Sequence, residues 1–451
     1  ILTPLLKLSI EGCFMPATIP VDDWPGNKIR LVDDIESFLS EQVNATASDP
    51  PIPRRVGRPP ILPALALWAG LLVCVLRGFN SQLDLWRLLR DKGVWSFPRV
   101  PISDQAVYAR LARAGTAPLE TLLCKITDVL AARLQPAMDN TLAPFATEVV
   151  AMDCTTLDSV SRKLPALRGL PNKDKGLLPG KLQAVFDLRR QLWRTVRFTP
   201  DPYQNERLEA RELAATVPKG SLIVVDLGYF GFAWFDWLTD NNYHWVSRLR
   251  GKTSYDVLHT FYRNENVCDG MIWLGKHRAD RAAHAVRLVT FTVGRQTRSY
   301  ITNVTDPDLF PPLALAQVYS RRWDIEMAFN LIKTHLGLHL LWSANPVVIQ
   351  QQILAVLIIS QVIQALRLEI AWRADVDIFE VSLPLLIRYF PWYARDGMDP
   401  VEAFVERGAE LGFIRASRRT RVQAPPLPET ITPFPPDLVL KRKPRYAGRR
   451  C

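Results

Sequence analysis

The spacing of apolar residues changes character several times along this chain, and each change marks a segment. Over residues 1–50 no period persists, apart from a short helical stretch at 33–44. From 61 to 134 apolar residues recur every three or four positions, the spacing of packed helices. Asn80-Ser81 and Ser103-Asp104 supply N-cap side chains ahead of two of them. Continuous β-branched and apolar runs at 149–153, 181–188, 192–198, 222–226 and 243–249 predict buried strands, with helical spacing at 206–215 and 232–240. Strand-like runs return at 270–274, 285–293 and 299–304. The 345–372 segment is apolar and helical, yet it carries Gln350, Gln351, Gln352, Gln361 and Gln364. Those glutamines, and Pro63 within the apolar 61–76 run, favour buried core helices over membrane spans.

Two of the predicted strands end in a carboxylate. Asp153 lies in EVVAMDCTTLDSV and Asp226 closes SLIVVDLGYFGF. A third acid, Glu326, stands in YSRRWDIEMAFNLIKTHLGL with Tyr319, Arg322 and Lys333. At 100° per residue one α-helix would gather those four side chains within about a 60° arc. Ile325, Phe329, Leu331, Ile332 and Leu336 would then form its core face. A charged stripe can be an ordinary solvated face, since Arg322 and Glu326 also make a common i, i+4 pair. Two strand-end acids and a third between cations instead suit a hard divalent cation held beside a polyanion. Asp158, Asp187 and Asp236 are alternative acids.

These motifs resemble those of insertion-sequence transposases of the DDE type, in the subgroup with the Tyr-(2)-Arg-(3)-Glu-(6)-Lys signature. Tyr319, Arg322, Glu326 and Lys333 meet that spacing in full. Asp153, Cys154 and Thr155 match a first motif in which glycine is commoner than cysteine at the centre; Asp226, Leu227, Gly228 and Tyr229 match the second. The resemblance implies an α/β, RNase H-like catalytic core, and the order of three strands followed by alternating helix and strand agrees with it. It implies catalysis and metal binding by Asp153, Asp226 and Glu326, with two Mg²⁺ ions that Mn²⁺ can replace. Arg322, Lys333 and Tyr319 would hold phosphate. Trp323 is the best of three candidates, with Trp245 and Trp273, for stacking on an unpaired base. The activity implied is cleavage at element ends, commonly through a hairpin, and transfer of the 3′-hydroxyl to target DNA. The implied partner is double-stranded DNA, both ends and target, bound by a homodimer on the prokaryotic nucleoid in the cytoplasm.

Composition sharpens this picture. Apolar residues make up 48% and charged residues 22%, as in globular proteins without a membrane role. A net charge of +11 points to a polyanionic partner. The six cysteines form no CxxC pair and suit a reducing compartment. The expected layout is an arm and linker at 1–60, where Arg54, Arg55 and Arg58 resemble a minor-groove arm but read more simply as part of a basic proline-rich linker, then a helical domain at 61–140 that is a candidate for DNA binding. The core follows at 145–250 and 306–345, interrupted by an inserted β subdomain at 251–305. A helical region occupies 346–414, and 415–451, with ten basic residues, two acids and seven prolines, is expected to be a disordered tail. Two other functions share parts of the pattern: an RNase H-like nuclease that hydrolyses without joining, and a catalytically silent DNA-binding protein.

Overall fold

In a computed structural model the described residues are 35–46, 61–79, 81–157, 180–202, 204–276, 280–338, 340–417, 422, 425 and 431–446. Among the described residues, five helices come first: α1 (Ile35–Thr46), α2 (Ala64–Leu76), α3 (Gln82–Arg87), α4 (Asp104–Ala114) and α5 (Ala117–Arg133). Ser81 and Ser103 cap α3 and α4 by accepting from Asp84 N and Ala106 N. Next come β1 (Val149–Thr156), β2 (Lys181–Asp187), β3 (Leu192–Thr199), α6 (Arg207–Ala215), β4 (Leu222–Val225), α7 (Phe232–Asp240) and β5 (His244–Arg248). Four more strands, β6 (Tyr255–Arg263), β7 (Val267–Leu274), β8 (Val286–Val293) and β9 (Gln296–Thr302), precede α8 (Pro312–Ser320) and α9 (Trp323–Asn330). The long α10 (Pro346–Arg373), α11 (Leu383–Arg395) and α12 (Pro400–Arg407) follow.

All nine strands form one mixed sheet in the order β3-β2-β1-β4-β5-β9-β8-β7-β6. β1, β2 and β3 run antiparallel in turn, and β4 and β5 lie parallel to β1. Strand alternation sorts the core into two layers. Val149, Ala151, Leu182 and Ala184 face the layer built from α2, α5, α9 and α10. Val150, Met152 and Val185 face α6 and α7.

The predicted apolar helix at 345–372 is α10, and it is long and apolar enough to cross a membrane, but its apolar window is wholly buried. Its glutamines explain that placement. Gln361 accepts from Trp193 N and donates to Trp193 O and Thr127 Oγ1, so it satisfies the outer edge of β3. Gln351 donates to the carbonyls of Leu111 and Gly115, which ties α4 to the same helix.

The 251–305 segment holds the expected strands, with β6 unforeseen, and β9 pairs with β5 so that they continue the core sheet. The buried pair Arg287–Asp269, at 2.6 Å, anchors them, and Arg287 also donates to Phe310 O. Two other expectations change. The tail is not wholly unstructured: residues 431–446 dock on the outer strands and α7. Phe434, Leu438 and Leu440 pack with Phe261, Met271 and Trp273. Arg442 donates to the carbonyls of Ala282 and Leu274 and lies over the Trp273 ring, while Tyr446 and Lys441 reach Asp236 and Asp240. Proline and charge hid three spaced apolar residues that pack, partly buried, on the outer strands. Finally, Cys74, Cys154 and Cys268 are free thiols, whereas Cys124 is disulfide-bonded. Arg54, Arg55 and Arg58 lie outside the described residues.

Removing residues 431–451 is therefore expected to lower stability by about 1–3 kcal/mol, because it strips a partly buried apolar cluster and several hydrogen bonds. Denaturant unfolding of the full and shortened chains checks this; equal midpoints would show that the strap is energetically idle.

Candidate active site

The sheet brings the first two acids side by side. β1 and β4 are parallel neighbours in which Met152 pairs with Val225. The next residues, Asp153 and Asp226, therefore emerge at the same end of adjacent strands. Asp226 ends its strand and caps the following turn by accepting from Gly228 N at 2.8 Å. Arg250 and Arg207 fasten that turn by donating to the carbonyls of Leu227 and Gly228.

The third acid arrives from α9. Ile325, Phe329, Leu331, Ile332 and Leu336 are buried as predicted, which fixes the rotation of this segment against the sheet. The single helix expected for Tyr319, Arg322, Glu326 and Lys333 is, however, broken into pieces. Tyr319 sits near the end of α8, and the chain then tightens through i→i−3 bonds from Arg322 N to Tyr319 O and from Asp324 N to Arg321 O. Glu326 lies on α9, and Lys333 on a wider π turn at Leu331–His335. Local tightening followed by widening redirects the side chains that a regular helix would stack.

The side chains still converge. Arg322 donates to Glu326 Oε1 at 2.7 Å and to Asp153 Oδ2 at 3.4 Å. Lys333 Nζ donates to Thr155 Oγ1 at 2.7 Å, on the same face of β1 as Asp153. Tyr319 is buried, stacks obliquely on Tyr300, and hydrogen-bonds Arg322.

Burial pushes the Asp153 carboxyl up to about 7; the Cys154 amide and Arg322 oppose that rise, and the charges of Asp226 and Glu326 add to it. Burial likewise raises Tyr319 to about 12 against the pull of Arg322 and Arg248. The phenol stays neutral at ordinary pH. Three carboxylates supply the oxygen donors that a hard divalent cation prefers. Among the described residues no three acid, His or Cys side chains stand close enough to hold a metal as they are. The Arg322 guanidinium lies between Asp153 and Glu326 and pairs with both.

Of the three tryptophans, Trp245 is fully buried and Trp273 nearly so beneath Arg442, while Trp323 is 55% exposed with its ring 5.3 Å from the Arg322 guanidinium. Asp187 accepts from the Arg189 and Arg190 amides, and Asp236 from Ala283 N, His284 N and Tyr446, so both acids are structural. Asp158 lies outside the described residues. Glu206 and Lys181, 3.2 Å apart, went unnoticed in the sequence. An acid ahead of a helix reads as an ordinary N-terminal charge, and only the fold sets it near Asp226.

Comparison with known proteins bears on residues 145–361, which match the family model described as a transposase DDE domain. The provisionally named transposase y4zB of Sinorhizobium fredii is 24% identical over 207 residues, 45% of this chain. The chain spans 57% of that relative's length. A solved structure, the piggyBac transposase synaptic complex with hairpin DNA, overlaps 84% of this chain and 81% of that one at 11% identity and a TM-score of 0.37. That last likeness is too distant to bear on the site.

A carboxylate whose folded pKa is raised favours the folded state while protonated. Its contribution is full below about 4, and is lost as pH rises towards about 7. In metal-free buffer Asp153→Asn should therefore gain about 1–3 kcal/mol over the unmutated protein on going from pH 4 to pH 8. Parallel denaturant unfolding curves of the two proteins measure the gap; a gap that does not change with pH would contradict the raised Asp153.

Proposed function

We propose that this protein is a DNA transposase of the DDE type, of the Tyr-(2)-Arg-(3)-Glu-(6)-Lys subgroup, with an RNase H-like core and Asp153, Asp226 and Glu326 as its acids. The strand order β3-β2-β1-β4-β5, with β4 and β5 parallel to β1, supports the core assignment. The observation that carries the functional reading is the meeting of Asp153, Arg322 and Glu326, from segments far apart in sequence, beside Asp226. The match of residues 145–361 to a transposase DDE domain agrees with it.

Asp153, Asp226 and Glu326 would hold two Mg²⁺ ions, replaceable by Mn²⁺, which would activate the attacking oxygen and stabilise the leaving one. The protein's own part is positioning. Arg322, a planar fork, can leave Asp153 and Glu326 for a phosphate and so free both carboxylates as DNA enters. Tyr319, neutral and buried, steadies Arg322 during that exchange. Lys333 adds a point charge beside β1, and exposed Trp323 offers a face on which an unpaired base stacks. Work on two element ends calls for a homodimer on DNA, acting at the nucleoid.

Alanine at any of the three acids should lower Mg²⁺-dependent cleavage of an element end by about 10³-fold or more, with end binding largely kept, since affinity comes mainly from cation–phosphate contacts. Cleavage and gel-shift assays on the same preparations separate the two effects. Retained cleavage in Glu326→Ala would sink the third assignment.

Joining distinguishes a transposase from a nuclease that stops at hydrolysis. Incubated with a pre-cleaved end, supercoiled plasmid and Mg²⁺, the protein should yield covalently joined product. Arg322→Ala and Lys333→Ala should each lose about 10²–10³-fold of it, because two strands must be held in line at once. Nicking without joining, under any divalent metal, would instead establish the nuclease.

A further inference from the structure

We propose that Glu206 is a fourth carboxylate of this site and that it binds a divalent cation jointly with Asp226. The proposal rests on the active-site reading above and adds a residue which that reading does not require.

Glu206 stands at the head of α6, on the face of the sheet opposite α9. Three observations turn it towards the site. The first is steric. Gly228, two residues after Asp226, has Asp226 Oδ1 and Glu206 Oε2 each 2.9 Å from the place where a Cβ would stand. Both carboxylates therefore converge on the bare side of one glycine, and any larger residue would drive them apart. Second, the buried Lys181 meets Glu206 Oε1 at 3.2 Å and the Cys154 thiol donates to the same carboxylate, which together hold it beside the Gly228 turn.

The third observation points to a missing ligand. The Tyr229 hydroxyl is fully buried and has no hydrogen-bond partner, and the ionisable groups around it are Cys154, Glu206, Asp153 and Asp226. A buried hydroxyl without a partner is costly. Water carried in by a cation would satisfy it.

Charge supports the same conclusion. Arg322 serves Asp153 and Glu326, and Lys181 serves Glu206. Arg207 and Arg250 donate to backbone carbonyls of the Asp226 turn. Like charges held together on one glycine repel unless a cation sits with them. A hard ion with several oxygen ligands meets that need, and Glu206 and Asp226 reach it from opposite faces of one sheet end.

The test is calorimetric titration of the full chain with MnCl₂, without DNA, for the unmutated protein, Glu206→Gln, Asp226→Asn and the surface control Glu212→Gln. Glu206→Gln is expected to lose a Mn²⁺ equivalent or to bind about 10- to 100-fold more weakly, as Asp226→Asn does, with Glu212→Gln unchanged. Glu206→Asp, which keeps the charge beside Lys181 but withdraws the carboxylate, should also weaken binding and serves if the glutamine variant fails to fold. Were Glu206 only a counter-ion for Lys181, the double variant Lys181→Met/Glu206→Gln would recover full Mn²⁺ binding, and that recovery would overturn the proposal. So would unchanged binding in both Glu206 variants while Asp226→Asn loses it, an outcome that leaves the three-acid reading intact. Unchanged binding in Asp226→Asn as well would overturn both readings together.

Discussion

The buried guanidinium of Arg322 joins the two halves of the site. Only 8% exposed, it lies between a carboxylate on the central strand and another on the helix that crosses it. A charge so placed is tolerated only while paired, since removing one partner leaves the other desolvated and uncompensated. The pairing therefore sets the angle and height at which α9 meets β1. Tyr319 and Trp323 flank the same guanidinium, one buried behind it and one exposed in front. Apolar packing alone would leave that segment free to slide by a turn along the sheet, because Ile325, Phe329 and Ile332 present a nearly uniform greasy surface. The ion pairs remove the freedom.

What could be read from the sequence follows from how local each signal is. Buried strands write themselves as β-branched runs, so β1, β4 and β5 were visible, and each acid following one could be placed at a strand end. Register was not accessible, because only the folded sheet shows that β1 and β4 are parallel neighbours whose acids emerge at one end. The shape of the Tyr319–Lys333 segment was not accessible. Its residues fit a regular helix, whereas the tightening near Arg322 and the π turn that carries Lys333 accompany contacts with residues distant in sequence, Arg322 with Asp153 and Lys333 with Thr155. Glu206 was invisible for the same reason: its partners, Lys181 and the Gly228 turn, approach only once the sheet exists.

The sheet itself shows how a long excursion can remain part of one core. From Leu249 to Thr302 the chain builds four antiparallel strands and returns to hydrogen-bond with β5. That pairing closes an edge of the inner strands that would otherwise be open. On the opposite edge a side chain meets part of the same need, with Gln361 of α10 bonding both the N–H and the carbonyl of Trp193. A helix facing lipid would have no use for glutamines spaced in this way, whereas a helix packed on an unpaired strand does.

Basic residues divide between two tasks that composition cannot tell apart. Arg442 lies on the indole of Trp273 and bonds two carbonyls, Arg287 is locked to Asp269 inside the sheet, and Arg189 donates to the carbonyls of Leu142, Ala143 and Ala146. These cations are spent on folding, and a net charge of +11 overstates what remains to meet a polyanion. Arg322 is the exception in kind: its partners are the site's own carboxylates. On the proposed reading, moving it towards a phosphate would break those pairs and leave two acids for a divalent cation, so that DNA and metal would favour each other's binding without any change in the fold.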